Sequence, residues 1–186
     1  MVTAMRATGI VRRIDDLGRI VIPKEIRRTL RIRESEPMEI YTGSQGEVIF
    51  KKYSPIGEVS TCADDYAEVL NRTVGVRVLI CDRDRVVACA GAPRRDWLDV
   101  SVPPALEQVM EGRRLYRPTP GQPLFCESLT GSRSAVRVAA PILCRGDVTG
   151  CVLFLAAADA ADLPEETECK LAGVTAALLG KQLDTE

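Results

Sequence analysis

From Ala7 the chain alternates. In GIVRRID, Ile10, Arg12 and Ile14 fall on one face and Val11 and Arg13 on the other, the period of a β-strand. DDLG at 15–18 is turn chemistry, with Gly18 able to take a positive φ, and RIVI at 19–22 reads as the returning strand. Pro23 cannot donate to a ladder and pre-sets φ for a first helical turn, so a short helix is expected over 24–30. Ile26 and Leu30 share one side of that helix, directed inward, while Arg27 and Arg28 fall off it and are expected to point outward. MEIYT and EVIFKK alternate again around GSQG at 43–46, predicting a second hairpin. A unit this small rarely supports its own core. Residues 1–53 contain no cysteine to staple it. Pairing with a second copy is therefore expected, with interleaved hairpins supplying the interface.

YSPIG at 53–57 reads as a linker. Ile56, Val59, Ala63, Tyr66 and Leu70 then recur at spacings of 3, 4, 3 and 4, an amphipathic helix ending near Gly75. Its stripe suits either its own domain's sheet or a subunit contact. VRVLICDRD and RVVACAGA read as strands meeting at Asp82–Arg83–Asp84, and VPPALEQVMEG as a helix closed by Gly112. Residues 113–132, rich in Pro, Gly and Ser, read as an irregular stretch able to overlie a sheet face. SAVRVAAPILCRGDVTGCVLFLAAA predicts two longer strands around an RGD turn at 145–147. A last helix is expected from near Pro164, with Glu165, Glu166 and Glu168 early and Lys181 late, suiting the helix dipole. Leu171, Val174 and Leu178 would form its apolar stripe. The expected class is α+β: a β-rich domain over 1–53 and a sensor-like domain of antiparallel strands and flanking helices over 54–186.

Charge sharpens this division. The whole chain carries −1, yet residues 1–53 carry +4 and residues 54–186 carry −5. A basic head on an acidic body suggests a polyanion-binding unit. Histidine is absent, which removes Ser–His and Cys–His nucleophile pairs and His-containing metal sites. The seven cysteines are scattered without a C-x-x-C, so no metal or cofactor is expected. With no signal-peptide pattern and no apolar run long enough to span a bilayer, a reduced cytoplasmic setting is expected, with no membrane partner. Residues 1–5 lack pattern and read as a frayed end, and Met5 is an alternative start.

ATGIVRRIDDLGRIVIPKEIRRTLRI, followed by EIY and VIFKKY, resembles the AbrB-type DNA-binding domain of bacterial transition-state regulators over about residues 6 to 53. Within that group it resembles the stage V sporulation protein T type, where such a head precedes a GAF-type domain. VLICDRD, APILCRGDVTGCVLF and the closing helix are similar to a GAF layout. The resemblance implies a swapped-hairpin homodimer, double-stranded DNA as partner, a nucleoid-associated bacterial regulator of sporulation genes, and either activation or repression. The family's DNA-contacting positions fall on Arg12, Arg13, Arg19, Arg27 and Arg28. The residue pattern selects the same set, flanking the turn and lying off the helix's apolar side, and Lys24 could add a phosphate contact. Asp15, Asp16 and Glu25 could orient these arginines or be ordinary turn and first-turn residues.

A GAF-type domain implies a small-molecule pocket or a dimer-forming module. The pocket would lie between the sheet and residues 113–132, near Tyr116, Phe125 and Cys126. No NKFDE-like cyclic-nucleotide signature and no haem site is visible. The helices at 56–72 and 164–183 could pair across subunits and build a homotetramer. Some GAF-fold proteins reduce methionine sulfoxide with cysteines, so a cysteine-dependent enzyme is one alternative and an antitoxin-like protein another. Cys81, Cys89, Cys144 and Cys151 lie in apolar strands and read as small core hydrophobes, leaving Cys126 as the thiol to test.

Overall fold

The computed structural model describes residues 7–118, 124–157 and 164–184, which divide into two compact units, Met1–Tyr53 and Ser54–Glu186. The readings of residues 1–5 and of Met5 lie outside the described residues.

In the first unit, helix α1 spans Lys24–Thr29, with Pro23 as its N-cap. Strands β1 (Met38–Thr42) and β2 (Val48–Lys52) form an antiparallel hairpin, Met38 opposite Lys52 and Thr42 opposite Val48. The end of α1 is a Schellman closure made without glycine. Arg31, at φ 52°, donates its N–H to the Arg28 carbonyl, and Ile32 donates to the Arg27 carbonyl at 2.7 Å. Lys52 ties the hairpin to this turn through Nζ to the Arg31 carbonyl at 2.7 Å.

Among the described residues, the predicted strands at 7–14 and 19–22 form no ladder. Their connecting turn is bonded, Asp15 N–H to the Arg19 carbonyl and Gly18 N–H to the Asp15 carbonyl. A ladder needs a paired strand, and among the described residues of the first unit the pairing is that of β1 with β2. The apolar residues of this unit are correspondingly uncovered: Val11 is 89 % exposed, Val21 72 % and Leu30 57 %. Leu30 thus departs from the expectation that it points into an interior. Among the described residues, Pro23 is the one buried position of the unit.

The second unit has its own core. Helices α2 (Pro55–Glu58) and α3 (Ser60–Val74) lead into β3 (Arg77–Asp82) and β4 (Val86–Ala90). Short α4 (Arg94–Trp97), then α5 (Pro104–Glu111), precede β5 (Phe125–Glu127), β6 (Arg133–Cys144), β7 (Asp147–Ala157) and α6 (Glu166–Leu183). The sheet is antiparallel, in the order β4-β3-β7-β6-β5. Alternation along β3 and β7 sends Val78, Ile80, Val152 and Phe154 to the face covered by α3 and α6. Leu79, Cys81, Cys151 and Leu153 go to the opposite face, beneath Trp97 and α5. In β6 a bulge between Val136 and Val138 reverses this parity at Arg137. Arg137 reaches α6, its Nε and Nη2 donating to the two carboxylate oxygens of Glu168, each at 3.0 Å. Among the described residues, no helix is long and apolar enough to cross a membrane.

The start of this unit is pinned by the β3–β4 turn. Ser54 Oγ donates to Asp82 Oδ2 at 2.8 Å and accepts from Gly57 N–H. Asp82 Oδ1 accepts from the backbone of Asp84 and Arg85. Nearby, Gly150 lets β7 press against β3: a Cβ there would overlap the Cys81 carbonyl oxygen and Ile56 Cδ1. Backbone cannot rotate aside as a side chain can, so Gly150→Ala is expected to destabilise the unit by about 1–3 kcal/mol, read from the urea midpoint.

Two expectations are corrected here. The buried stripe of α6 is Cys169, Ala172, Ala176, Leu179 and Leu183, while Val174 and Leu178 are 57 % and 48 % exposed. Small residues let the helix sit close on the sheet, and Gly180 faces the Leu143 carbonyl so tightly that a Cβ would overlap it. Second, the irregular stretch at 113–132 contains β5 and a bridge from Tyr116 to Ala139, so Cys126 is a buried strand residue.

Candidate functional site

The basic residues of the first unit gather at two local structures. Arg12 and Arg13 are exposed on the segment entering the 15–18 turn, and Arg19 leaves it. Asp15 organises this tip. Its Oδ1 accepts from the backbone N–H of Leu17 at 3.0 Å and of Arg19 at 2.7 Å, and its Oδ2 accepts from Arg19 Nε at 2.7 Å. The Arg19 backbone N–H, and then the Arg19 guanidinium, hold the Asp15 carboxyl below its ordinary range. Gly18, at φ 77°, takes the left-handed step that lets the chain return. Asp15 therefore acts both as a turn residue and as an orienting partner, the two readings its sequence position leaves open. With Nε held, the Nη groups of Arg19 face no acceptor among the described residues.

On α1, Lys24 and Arg28 are exposed, but Arg27 is half-buried and its Nε is enclosed without a partner among the described residues. The expectation that Arg27 and Arg28 both point outward therefore holds fully for Arg28 alone. The Schellman turn folds Ile32 back toward Arg27 through their shared hydrogen bond, and Arg28 remains on the surface.

The second unit holds a cavity of about 460 Å³ between the sheet and the segment from Trp97 to Leu106. Leu79, Cys81 and Leu153 form its floor, Trp97 and Leu106 part of its cover, and Phe125 and Cys126 one edge. Tyr116 is not in the wall; its hydroxyl accepts the Leu124 N–H at 3.0 Å and so braces a residue that is. Residues 97–106 supply most of the cover that the sequence assigns to 113–132. Of that stretch, residues 119–123 lie outside the described residues and 124–127 reach the wall. The signal available in the sequence is Trp97, the single tryptophan, just before the paired prolines of α5. Two wall residues carry opposite charges: Glu127 and Arg133 are cross-strand partners, and the Arg133 guanidinium lies 3.7 Å from the Phe125 ring centroid.

The thiols here are buried. Burial raises the Cys126 thiol to about 11, and burial likewise raises Cys81 and Cys151 well above the ordinary range. Reaction requires the thiolate. Cys126 is thus expected to resist iodoacetamide at neutral pH in the native protein, with half-buried Cys62 and Cys144 alkylating first by peptide mass mapping. Rapid native labelling of Cys126 would contradict this. Among the described residues no cluster of three or more Cys, Asp or Glu could hold a metal ion.

A family model described as the stage V sporulation protein T C-terminal region, a transcription factor, matches residues 58–184. The chain belongs to the stage V sporulation protein T family. Stage V sporulation protein T of Bacillus subtilis (strain 168) is 42 % identical over 180 residues, 97 % of this chain and 99 % of the relative. The transition state regulatory protein AbrB of the same organism is 52 % identical over 62 residues, 30 % of this chain and 64 % of its own length. A model for the antidote-toxin recognition antitoxin MazE matches residues 11–57. The head of this family member is thus of AbrB type. Its second unit has a GAF-type fold, shared with the cyanobacteriochrome receptor PixJ at a TM-score of 0.52 and 13 % identity, over 70 % of this chain and 98 % of that one. At that identity the likeness concerns fold alone.

Proposed function

We propose that the protein is a DNA-binding regulator of sporulation genes that acts as an interleaved dimer, gripping double-stranded DNA through Arg12, Arg13, Arg19, Arg27 and Arg28 with Lys24 adding a phosphate contact. The observation that carries this reading is the division of the first unit into two surfaces. Its apolar residues, Val11, Ile14, Val21 and Leu30 among them, find no cover among the described residues, and a second copy would provide it. Its arginines cluster around a turn pinned by Asp15 and on a helix begun at Pro23 and closed by the Schellman turn. A guanidinium offers a planar fork that meets phosphate bidentately and can reach a guanine edge. Pre-ordering the tip reduces the side-chain entropy lost on binding.

The second unit, in this reading, joins head dimers into a tetramer and holds a small-molecule effector. Val69 on α3 and Val174 and Leu178 on α6 are exposed apolar residues on two helices that cover the same sheet face, and pairing of those helices across subunits would bury them. The cavity beneath Trp97 is of a size ordinarily used for small ligands, roughly 300–1,000 Å³. An antitoxin reading draws on the match of residues 11–57 alone, whereas the sporulation family model covers the larger second unit. A cysteine-dependent enzyme would need an accessible thiolate, and the cavity thiols are buried and raised.

A gel-shift with the full chain and duplex fragments from upstream of sporulation genes tests the reading. Retarded complexes at low salt that vanish as salt rises are expected. Absence of any complex at low salt would refute it. Mass measurement in solution tests the assembly, a tetramer being expected and a monomer contradicting it.

A further inference from the structure

The cavity of the second unit has an unusual distribution of polarity. Sixteen residues line it, and only Ser101, Glu127 and Arg133 among them bring a hydroxyl or a charge. The floor and cover are aliphatic or aromatic, with two protonated thiols. Both charges sit together on the β5–β6 edge, as directly opposed strand partners. They nevertheless form no ion pair. Arg133 instead spreads over the Phe125 ring at 3.7 Å and meets no carboxylate among the described residues. A guanidinium stacked by its face keeps its N–H edges free for a planar acceptor.

We propose, building on the effector-cavity reading above, that this cavity takes an apolar monocarboxylate, its carboxylate on Arg133 and its hydrocarbon body against Leu79, Leu106, Trp97 and Leu153. Arg133 selects an anion at the rim. Glu127, opposite it, leaves that rim without net charge, so a second negative charge on the ligand meets repulsion. This disfavours dicarboxylates and phosphate esters. The scarcity of polar wall groups disfavours ligands with many hydrogen-bonding groups, such as nucleosides, whose buried polar atoms would go unpaired.

Trp97 is the sole tryptophan and lies in the cavity wall, 2 % exposed, so its emission reports occupancy of this site. The full chain is titrated, below the micellar range, with decanoate, decanol, decanedioate and cyclic AMP. Decanoate is expected to change Trp97 emission saturably. Decanol, which lacks the charge-assisted hydrogen bond, should bind several-fold to about tenfold more weakly, the exposure of Arg133 moderating the loss. Decanedioate should bind about tenfold or more weakly because its second carboxylate must enter an apolar cavity or meet Glu127. Arg133→Gln should reduce decanoate affinity by about the factor given for decanol while leaving decanol unchanged. Glu127→Gln should tighten both acids, decanedioate the more. Arg133 is exposed on the strand edge, and retention of decanol binding verifies that the variant's cavity is intact. Equal binding of decanol and decanoate, or an Arg133→Gln variant that still prefers the acid, would overturn the carboxylate assignment while leaving an apolar effector site standing. Saturation by cyclic AMP alone, or by none of the four, would overturn the ligand class. DNA binding by the head is measured separately and does not depend on either outcome.

Discussion

Replacing Arg137 by methionine is expected to cost the second unit about 3–5 kcal/mol. Arg137 stands at the β6 bulge and pairs bidentately with Glu168 on α6, with side-chain exposures of 13 % and 9 %. Little water reaches either group, so removing the guanidinium leaves a desolvated carboxylate between helix and sheet. Glu168 lies one residue before Cys169, the first residue of the buried α6 stripe, and an uncompensated charge there opposes docking of the helix. The paired removal, Arg137→Met with Glu168→Met, should cost much less, because no charge is stranded and two apolar side chains fill similar volume. Urea denaturation of the four members of this cycle measures it. A single variant no less stable than the double would show that the pair is solvated and contributes little.

The other large effect is on DNA. Arg28→Ala is expected to weaken duplex binding by about 1–3 kcal/mol if the residue reads a base. In the proposed dimer each substitution occurs in both subunits, so the loss is felt twice per complex. Arg28 is the cleaner probe of the helix because it is exposed. Arg27 has its Nε enclosed and is half-buried, so Arg27→Ala removes packing as well as charge. A thermal melt beside the binding curve separates the two: Arg28→Ala should leave the melting temperature unchanged and Arg27→Ala should lower it. Unchanged binding in both variants would remove α1 from the interface.

Much of this organisation is legible in the sequence because it rests on local chemistry. Pro23 marks the change from extended chain to helix through its fixed φ and missing donor. The turns at 15–18, 43–46, 82–85 and 145–146 follow from Asp and Gly placement. Strands β3, β4, β6 and β7 announce themselves by apolar runs with few interruptions. What escapes depends on partners distant in sequence. The α6 stripe is ambiguous because the helix has two apolar faces, and the sheet prefers the smaller residues Ala172 and Ala176 over Val174 and Leu178. The bulge at Arg137 has no signature of its own; only the buried carboxylate on α6 explains why a charged residue interrupts that strand. Arg31 closes α1 in a left-handed conformation ordinarily given to glycine, so no punctuation marks the stop. At the candidate DNA site the cationic residues can be read from the sequence, while the role of Asp15 as the pin of the tip, and the partial burial of Arg27, emerge only in three dimensions. In the cavity, Phe125 and Cys126 are legible from their place in the chain, but Trp97, Glu127 and Arg133 come together only through the sheet's curl and register.

The most direct measurement is the salt dependence of duplex binding by the full chain, beside the variant carrying Arg12→Ala, Arg13→Ala and Arg28→Ala. The logarithm of the association constant should fall linearly with the logarithm of salt concentration, with a slope of about −0.9 for each phosphate neutralised. The variant should bind more weakly at low salt, and its slope should be shallower by about 0.9 for every phosphate it no longer neutralises. A variant that binds with the affinity and slope of the unaltered protein would contradict the assignment of DNA binding to these arginines.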